Sequence, residues 1–400
     1  MKNIIIVGSG IVGMLAAIIT SKHNYKVTIL DTQKIDAKKP FVERYFAINL
    51  LSKYVFMKIG IWDYIKKKGM CPFNKIVAWD ATASSLVTFN SKIISYDYLG
   101  YILKESEIKK SLLRIIDQNK NIIYKRNSKI NSITNKSQNC IIYCNKKKLN
   151  CDILIAADGR SSKVAEIMKV VNEPEDYEQD AITMNIKLKS NNIHATAYQR
   201  FNNGDIQGLL PIDKNSYNLI WSTNHSNSEK LFHLNKSALI KILNDDLSDH
   251  IGEIISVSKK SKFKLMGIHT SSYTKERVMF IGDAAHTVHP LAGLGLNMGI
   301  QDVFLLNLAF EKFCTEKSKI NSDLLNYYER MCRIKNNKTI QIINFLKKFY
   351  ETNLIPPIAK KSLVNIFNNS IVLKSKAIQE ATGLNTLDTL LEKDYSHTQY

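Results

Sequence analysis

Cysteine is scarce in this chain: six residues in 400, none in a C-x-x-C pair and none with histidine at zinc-ligand spacing. The pattern argues against a disulfide scaffold or a zinc module and leaves the thiols as buried or incidental groups in a reducing compartment. Long apolar runs are missing too. Only Ile4 to Thr20 resembles a signal-peptide core or a short membrane span, and Gly8, Gly10 and Gly13 interrupt it before it runs on into His23-Asn24-Tyr25. The sequence therefore speaks against a secretory leader and against an integral membrane protein. It also lacks internal repeats, a low-complexity linker and a convincing nucleophile–base–acid triad. Acidic residues are few: 36 Asp and Glu against 56 Lys and Arg, a net charge of +20. Such a charge admits nucleic acid, an anionic membrane or acidic ligands as partners and decides nothing about fold. The chain is equally dense in Asn and Ile, whose codons are A/T-rich like those of Lys, so base composition competes as its source. Nucleic acid fits poorly, because the lysines are scattered and no aromatics interleave them.

What is present begins at the amino terminus. Residues 3–7 (NIIIV) read as a buried, β-branched strand, followed at once by Gly8-Ser9-Gly10-Ile11-Val12-Gly13, a helix to about Lys22, and a strand Lys26–Leu30 ending in Asp31. This is G-x-G-x-x-G in strand–turn–helix context, with an acid near the ~20-residue offset of a ribose-binding carboxylate. Gly8 serves the tight turn, Gly10 the approach of a pyrophosphate, and Gly13 the packing of helix on strand, while the helix N-terminus faces phosphate charge. Asp at position 31 favours a free 2′-hydroxyl, hence FAD or NAD over NADP.

Two further strands end in acids. Ile153–Ala157 leads into Asp158-Gly159, and Val278–Ile281 into Gly282-Asp283. Carboxylates at the carboxyl ends of parallel strands lie where such sheets bind ligands, and Asp283 is placed for a ribityl chain or the pyrophosphate region. Pro290, Gly293, Gly295, Leu296 and Asn297 then lead into an apolar helix from roughly Asn297 to Phe313, with glycines that let backbone N–H groups approach a planar ligand. Gly293-x-Gly295 follows a loop and is not a second nucleotide fingerprint.

The order of these three motifs resembles the single-component flavin aromatic hydroxylases of the p-hydroxybenzoate hydroxylase fold. The phrase from Gly282 to Asp302 is more narrowly similar to the ubiquinone-biosynthesis hydroxylases, as are Ala197-Tyr198-Gln199-Arg200-Phe201, Leu209-Leu210-Pro211-Ile212 and Ala381-Thr382-Gly383-Leu384. The similarity spans about residues 1–385. It implies an α/β protein: a Rossmann-like FAD-binding domain, an inserted β-sheet substrate domain and a helical carboxyl-terminal segment. The expected pieces are 1–70, 100–180 and 265–335 for the cofactor domain and 71–99 with 181–264 for the substrate sheet. The remainder, 336–400, reads as helical to about Gly383 and then loose. Arg44 matches a cofactor-contacting arginine of the family. Two positions depart from the pattern: Leu294 stands where Gln is usual, and Ala165 where Arg usually closes the Asp-Gly motif.

The resemblance further implies an FAD-dependent monooxygenase. NAD(P)H would reduce FAD in a transient visit, O₂ would give a flavin hydroperoxide, and the ring of a polyprenylated phenol would be hydroxylated in ubiquinone biosynthesis. The helix N-terminus beyond Gly293 would stabilise negative charge on the reduced flavin. Alternatives are a related flavoprotein acting on another aromatic or an alkene, or a non-catalytic FAD-binding scaffold of a quinone-biosynthesis complex. Tyr198 and Arg200 alternate on a strand and share one face, which either lines the substrate cavity or is solvated. His286 and His289 either contact flavin or substrate or hold their turn by backbone bonds. No metal is expected. The lysine runs and the mixed segment Phe345–Phe367 suit either solvated, packed helices or an anionic membrane surface, placing the protein in the cytoplasm, peripheral to the inner membrane, with other quinone-biosynthesis proteins as possible partners.

Overall fold

The computed structural model describes residues 2–32, 43–135, 139–190, 195–314, 322–351 and 355–388. Of the tail expected to be loose from Asn385, residues 385–388 are instead helical, held by Leu387 in the main core, and the rest, from residue 389 onward, lies outside the described residues, as does Leu354.

Asn3–Val7, buried after its first residue, lies inside a six-stranded sheet. It pairs in parallel with Lys26–Leu30 on one side and Ile153–Ala156 on the other. Ile122–Lys125 and Val278–Phe280 extend the parallel array outward, and Thr274–Lys275 adds an antiparallel edge. Strands covered on both faces need continuous apolar sequence, which is what IIIV, ILIA and VMF supply. Helix Ile11–Lys22 crosses between the first two strands and touches helices Glu105–Gln118 and Gly295–Phe313. All three motif-bearing turns thus leave the same carboxyl edge of one sheet.

A second, nine-stranded sheet is mostly antiparallel. Its long strand Asn172–Leu188 pairs with Ser261–Thr270 and with Ser216–Asn224. Asp205–Pro211, Thr196–Asn202, Lys75–Asp80 and Ser85–Asn90 follow outward. One face packs on helix Lys236–Ile251 through a core containing Trp79, Tyr217, Trp221 and Leu243. The boundary expected at 180/181 falls inside Asn172–Leu188, and that at 335/336 inside helix Ser322–Glu351. The helix continues from one layer to the next: Tyr328 and Cys332 belong to the core of the parallel sheet, whereas Ile343, about three turns beyond Cys332, packs with Phe201 of the second sheet. Helices Pro357–Asn369 and Ile371–Thr382 lie against the outer end of that sheet and the turn that follows it. Among the described residues no helix is long and apolar enough to cross a membrane.

Candidate active site

The three glycines of the first turn do different things. Gly8 has φ +102°, and a Cβ there would lie 2.2 Å from the carbonyl oxygen of Ala157. A Cβ on Gly13 would lie 2.2 Å from the Gly8 carbonyl oxygen, so both positions are closed by packing. Gly10 faces open space, with no atom within 4 Å. Helix Ile11–Lys22 begins directly after it with no side-chain cap, so its first-turn N–H groups are not taken up by a cap and are free for an anion. Ile11 is buried in the core, and Val12 forms the floor on which Gly282 and Gly299 rest. Asp31, at the end of the second strand, accepts from the Ser9 N–H at 2.9 Å and from the Ser9 hydroxyl, and the Tyr124 hydroxyl donates to Ser9 Oγ at 2.8 Å. This carboxylate is therefore held at one place beside the turn. An open glycine, an uncapped helix start and a fixed carboxylate fit a dinucleotide's pyrophosphate and ribose.

The Gly282-Asp283 turn is held from below by a residue that the motifs do not single out as a site. Asp302, fully buried on helix Gly295–Phe313, accepts from the Gly282 N–H at 2.8 Å and lies 2.6 Å from Nε2 of His286; its other oxygen accepts from Asn336 at 2.8 Å. Burial alone would push the pKa of His286 down, but the Asp302 charge and hydrogen bond outweigh it and hold it above the ordinary value. His286 is thus a turn holder. Asp283 itself is exposed to solvent, yet the protein around it dehydrates it enough to raise its carboxyl pKa, against the pull of His286, Arg44 and Arg160. Arg44 is 61% exposed, lies 3.8 Å from Glu105 and stacks over the Phe46 ring. The structure thus brings Arg44 into the field of Asp283.

Helix Gly295–Phe313, starting two residues before the expected Asn297, also begins with no side-chain cap, and Gly295 faces open space. Leu296 packs against the main core. The Asn297 amide is used within the protein: Nδ2 donates to the carbonyls of Ala47 at 2.8 Å and Gly293 at 3.1 Å, while Oδ1 accepts from the Asn49 N–H at 3.0 Å and the Ser52 hydroxyl at 2.8 Å. It clips the strand Tyr45–Ile48 to the helix start. Asp158 is also occupied locally, accepting from Ser162 Oγ at 2.6 Å and the Val164 N–H at 3.1 Å; burial nevertheless raises its pKa. Gly159 beside it, at φ +83°, faces open space. Ala165 sits buried in the short helix Lys163–Ile167.

Beyond Pro290, Gly293 and Leu294 opens an apolar cavity of about 670 Å³. Its walls are Ala197, Gln199, Phe201 and Gly208 of the second sheet and Phe345, Phe349, Val364 and Phe367 of the carboxyl-terminal helices. The alternation read from Tyr198 and Arg200 holds, but Ala197, Gln199 and Phe201 of the opposite face supply most of this strand's share of the cavity, with Tyr198 at its border. Arg200 turns away and pairs with Asp246 at 2.8 Å and Gln207 at 3.2 Å, because helix Lys236–Ile251 supplies its carboxylate on that side. Tyr198 borders the cavity, with its ring edge-on to Trp79 and Tyr217 in the opposite core. His289 does not reach the cavity either. Burial, with Lys347 nearby, pushes its pKa down to about 3, so the neutral ring donates from Nε2 to Gln179 at 3.0 Å and accepts at Nδ1 from the Leu291 N–H at 3.3 Å. It holds the loop. The sequence does not single out Gln199, Phe201 or Asp302 as site residues, and it marks Phe345–Phe367 as a packed or interfacial segment rather than a cavity wall; an acid inside an otherwise apolar helix is the signal for Asp302.

A family model described as FAD binding domain matches residues 1–342. The mitochondrial ubiquinone biosynthesis monooxygenase COQ6 of Dictyostelium discoideum is 27% identical, over 95% of this chain and 91% of its own length. The Schizosaccharomyces pombe protein of the same name is 29% identical, over 93% and 90%. Among solved structures, p-nitrophenol 4-monooxygenase PnpA from Pseudomonas putida superposes with a TM-score of 0.75 at 15% identity, covering 96% of this chain and 99% of its own. P. aeruginosa PqsL in complex with 2-aminobenzoylacetate gives a TM-score of 0.78 at 17% identity, covering 91% and 99%. The chain belongs to the FAD-binding-domain family of flavin-dependent monooxygenases.

Proposed function

We propose that this protein uses FAD, NAD(P)H and O₂ to hydroxylate the aromatic ring of a polyprenylated phenol in ubiquinone biosynthesis. The carrying observation is that Pro290, Gly293 and Leu294, in the segment read as a flavin contact, also form one wall of the 670 Å³ apolar cavity. FAD, when bound, supplies the redox and oxygen-activating chemistry. The protein's share is placement. The N–H groups after Gly10 would hold the pyrophosphate, Asp31 the ribose, and Gly159, Asp283 and Arg44 the middle of the cofactor. The uncapped start of helix Gly295–Phe313 would favour negative charge on the ring system. Apolar walls exclude water from the reaction and leave the few polar groups, such as Gln199, to orient a phenol. The names of the COQ6 relatives favour this substrate class over other aromatics. Residues 1–70, 100–180 and 265–335 would form the cofactor domain and 71–99 with 181–264 the substrate sheet. In keeping with its basic surface, the protein would work against the membrane that holds its substrate.

The test is reconstitution. The pure chain should bind FAD and oxidise NAD(P)H faster with a prenylated phenol present, yielding a product heavier by one oxygen atom. A chain that takes up no flavin would sink the proposal, and NAD(P)H oxidation with peroxide as its sole oxygen product would sink the assignment of substrate.

A further inference from the structure

The apolar cavity reaches the outside. Phe345 and Leu363 line it and are nevertheless 65% and 51% exposed, so they form its rim. Beyond this rim the surface stays apolar. Helices Pro357–Asn369 and Ile371–Thr382 meet at Ser370, whose hydroxyl accepts from the Leu373 N–H at 3.3 Å and fixes the turn. At this turn Ile366, Ile371, Val372 and Leu373 are 65%, 69%, 63% and 46% exposed. Four large aliphatic residues around one hairpin tip form an apolar patch that water disfavours. Every charged residue from 355 to 379 is a lysine, and Lys361 and Lys376 are exposed.

We infer that the 366–373 hairpin tip is a membrane anchor that dips into an anionic bilayer and sets the cavity mouth at Phe345 and Leu363 against the lipid. Charge complementarity selects the occupant: lysines flanking an apolar tip match acidic headgroups above acyl chains, and each lysine near such a surface adds to binding. Continuity between tip, rim and cavity gives the anchor a purpose, because a prenyl chain can slide from lipid into the protein without crossing water. That purpose rests on the proposed function; the docking itself does not.

The test is co-sedimentation of the flavin-loaded full chain with phosphatidylcholine vesicles and with vesicles that also carry phosphatidylglycerol. Binding should favour the anionic vesicles and weaken with salt. Replacing Ile371→Ser, Val372→Ser and Leu373→Ser together should lower partitioning by about tenfold or more, with flavin content and turnover of a short-chain, water-soluble phenol unchanged. The single Val372→Asp change should act in the same direction should the triple variant lose flavin. Lys361→Gln with Lys376→Gln should remove the preference for phosphatidylglycerol. Equal sedimentation of the tip variants and the native chain would overturn the inference. So would a native chain that ignores both vesicles and instead forms dimers abolished by the tip changes, which would assign the patch to a second copy. Tip-dependent vesicle binding in a chain inactive on every phenol would leave the anchor standing and reject the proposed function alone.

Discussion

Asp302 Oδ2 lies 2.6 Å from Nε2 of His286, and both side chains are almost wholly shut from solvent. The same oxygen accepts from the Gly282 N–H, so one buried carboxylate sets the turn that carries Asp283. Removing one partner of such a pair strands the other in a medium that solvates it poorly. Asp302→Asn should therefore cost ~3 kcal/mol of unfolding free energy in urea, and it should weaken FAD retention as the Gly282 turn relaxes.

The pair also gives a pH dependence of known sign. His286 has its pKa raised above the ordinary 6.5, so it binds its proton more tightly folded than unfolded. Its contribution to stability is complete below about pH 6.5 and is lost as pH rises through the raised value. Urea titrations from mildly acidic to alkaline pH should show this decline, and His286→Gln should flatten it.

Gly8 and Gly10 should separate folding from cofactor binding. Gly8→Ala forces a positive-φ strain and a clash with Ala157, with a loss of at least ~2 kcal/mol. At Gly10 an added Cβ meets nothing in the protein, so Gly10→Val should cost only the ~1 kcal/mol of a poorer helix N-cap. Its side chain occupies the space offered to the pyrophosphate, so FAD affinity in a fluorescence titration should fall by at least about tenfold, or ~1.4 kcal/mol.

Arg200 should behave as a structural residue. Arg200→Met removes the cation from a cluster in which Gln207 still donates to Asp246 at 2.9 Å, and should lower stability by ~2 kcal/mol, less than a fully enclosed pair because Asp246 keeps partial access to water. KM for the phenol should stay unchanged. A raised KM with intact stability would return Arg200 to the cavity.

Gly208 offers the converse case. Its Cβ direction meets only the Ile220 carbonyl oxygen, at 3.9 Å, and it lies on the cavity wall. Gly208→Leu should project into the cavity and raise KM for a long-chain prenylated phenol by roughly tenfold, a discrimination of the size that a few methylenes carry. The rate at which NAD(P)H reduces the flavin without phenol should be preserved.

The strand–turn–helix at residues 3–31 was legible because glycine placement and β-branched runs are local properties, and the structure reproduces those elements within a residue or two. The Gly282 segment was legible for the same reason. The faces of strand Thr196–Asn202 were not, since alternation tells which residues share a side and leaves open which side meets the cavity. That depended on Asp246, 46 positions after Arg200 in sequence and joined to it only by the fold. Asp158 and Asn297 carry the right groups at the right ends of elements, yet their hydrogen-bonding capacity goes to protein groups, Ser162 and Val164 for the one and Ala47, Asn49, Ser52 and Gly293 for the other, which no spacing rule reveals. The mixed segment from Phe345 to Phe367 fitted a packed helix and an interfacial one equally; folded, Phe345 lines the cavity and is exposed at once.

Strand Asn172–Leu188 has a mechanical consequence. One end pairs with Thr270 and its neighbours beside the Gly282 turn, and the other runs to Ser216 at the far end of the second sheet. A ladder of this kind, paired on both sides within the second sheet, acts as a stiff beam from the edge beside the Gly282 turn to the sheet's far end. Its irregularity between Asp176 and Asp180 places Gln179 against His289 and so ties the beam to the 289–294 loop. The loop that carries Pro290, Gly293 and Leu294 to the cavity is thereby tied to the same sheet that supplies Ala197 and Gln199, so two walls of the cavity are joined through one strand.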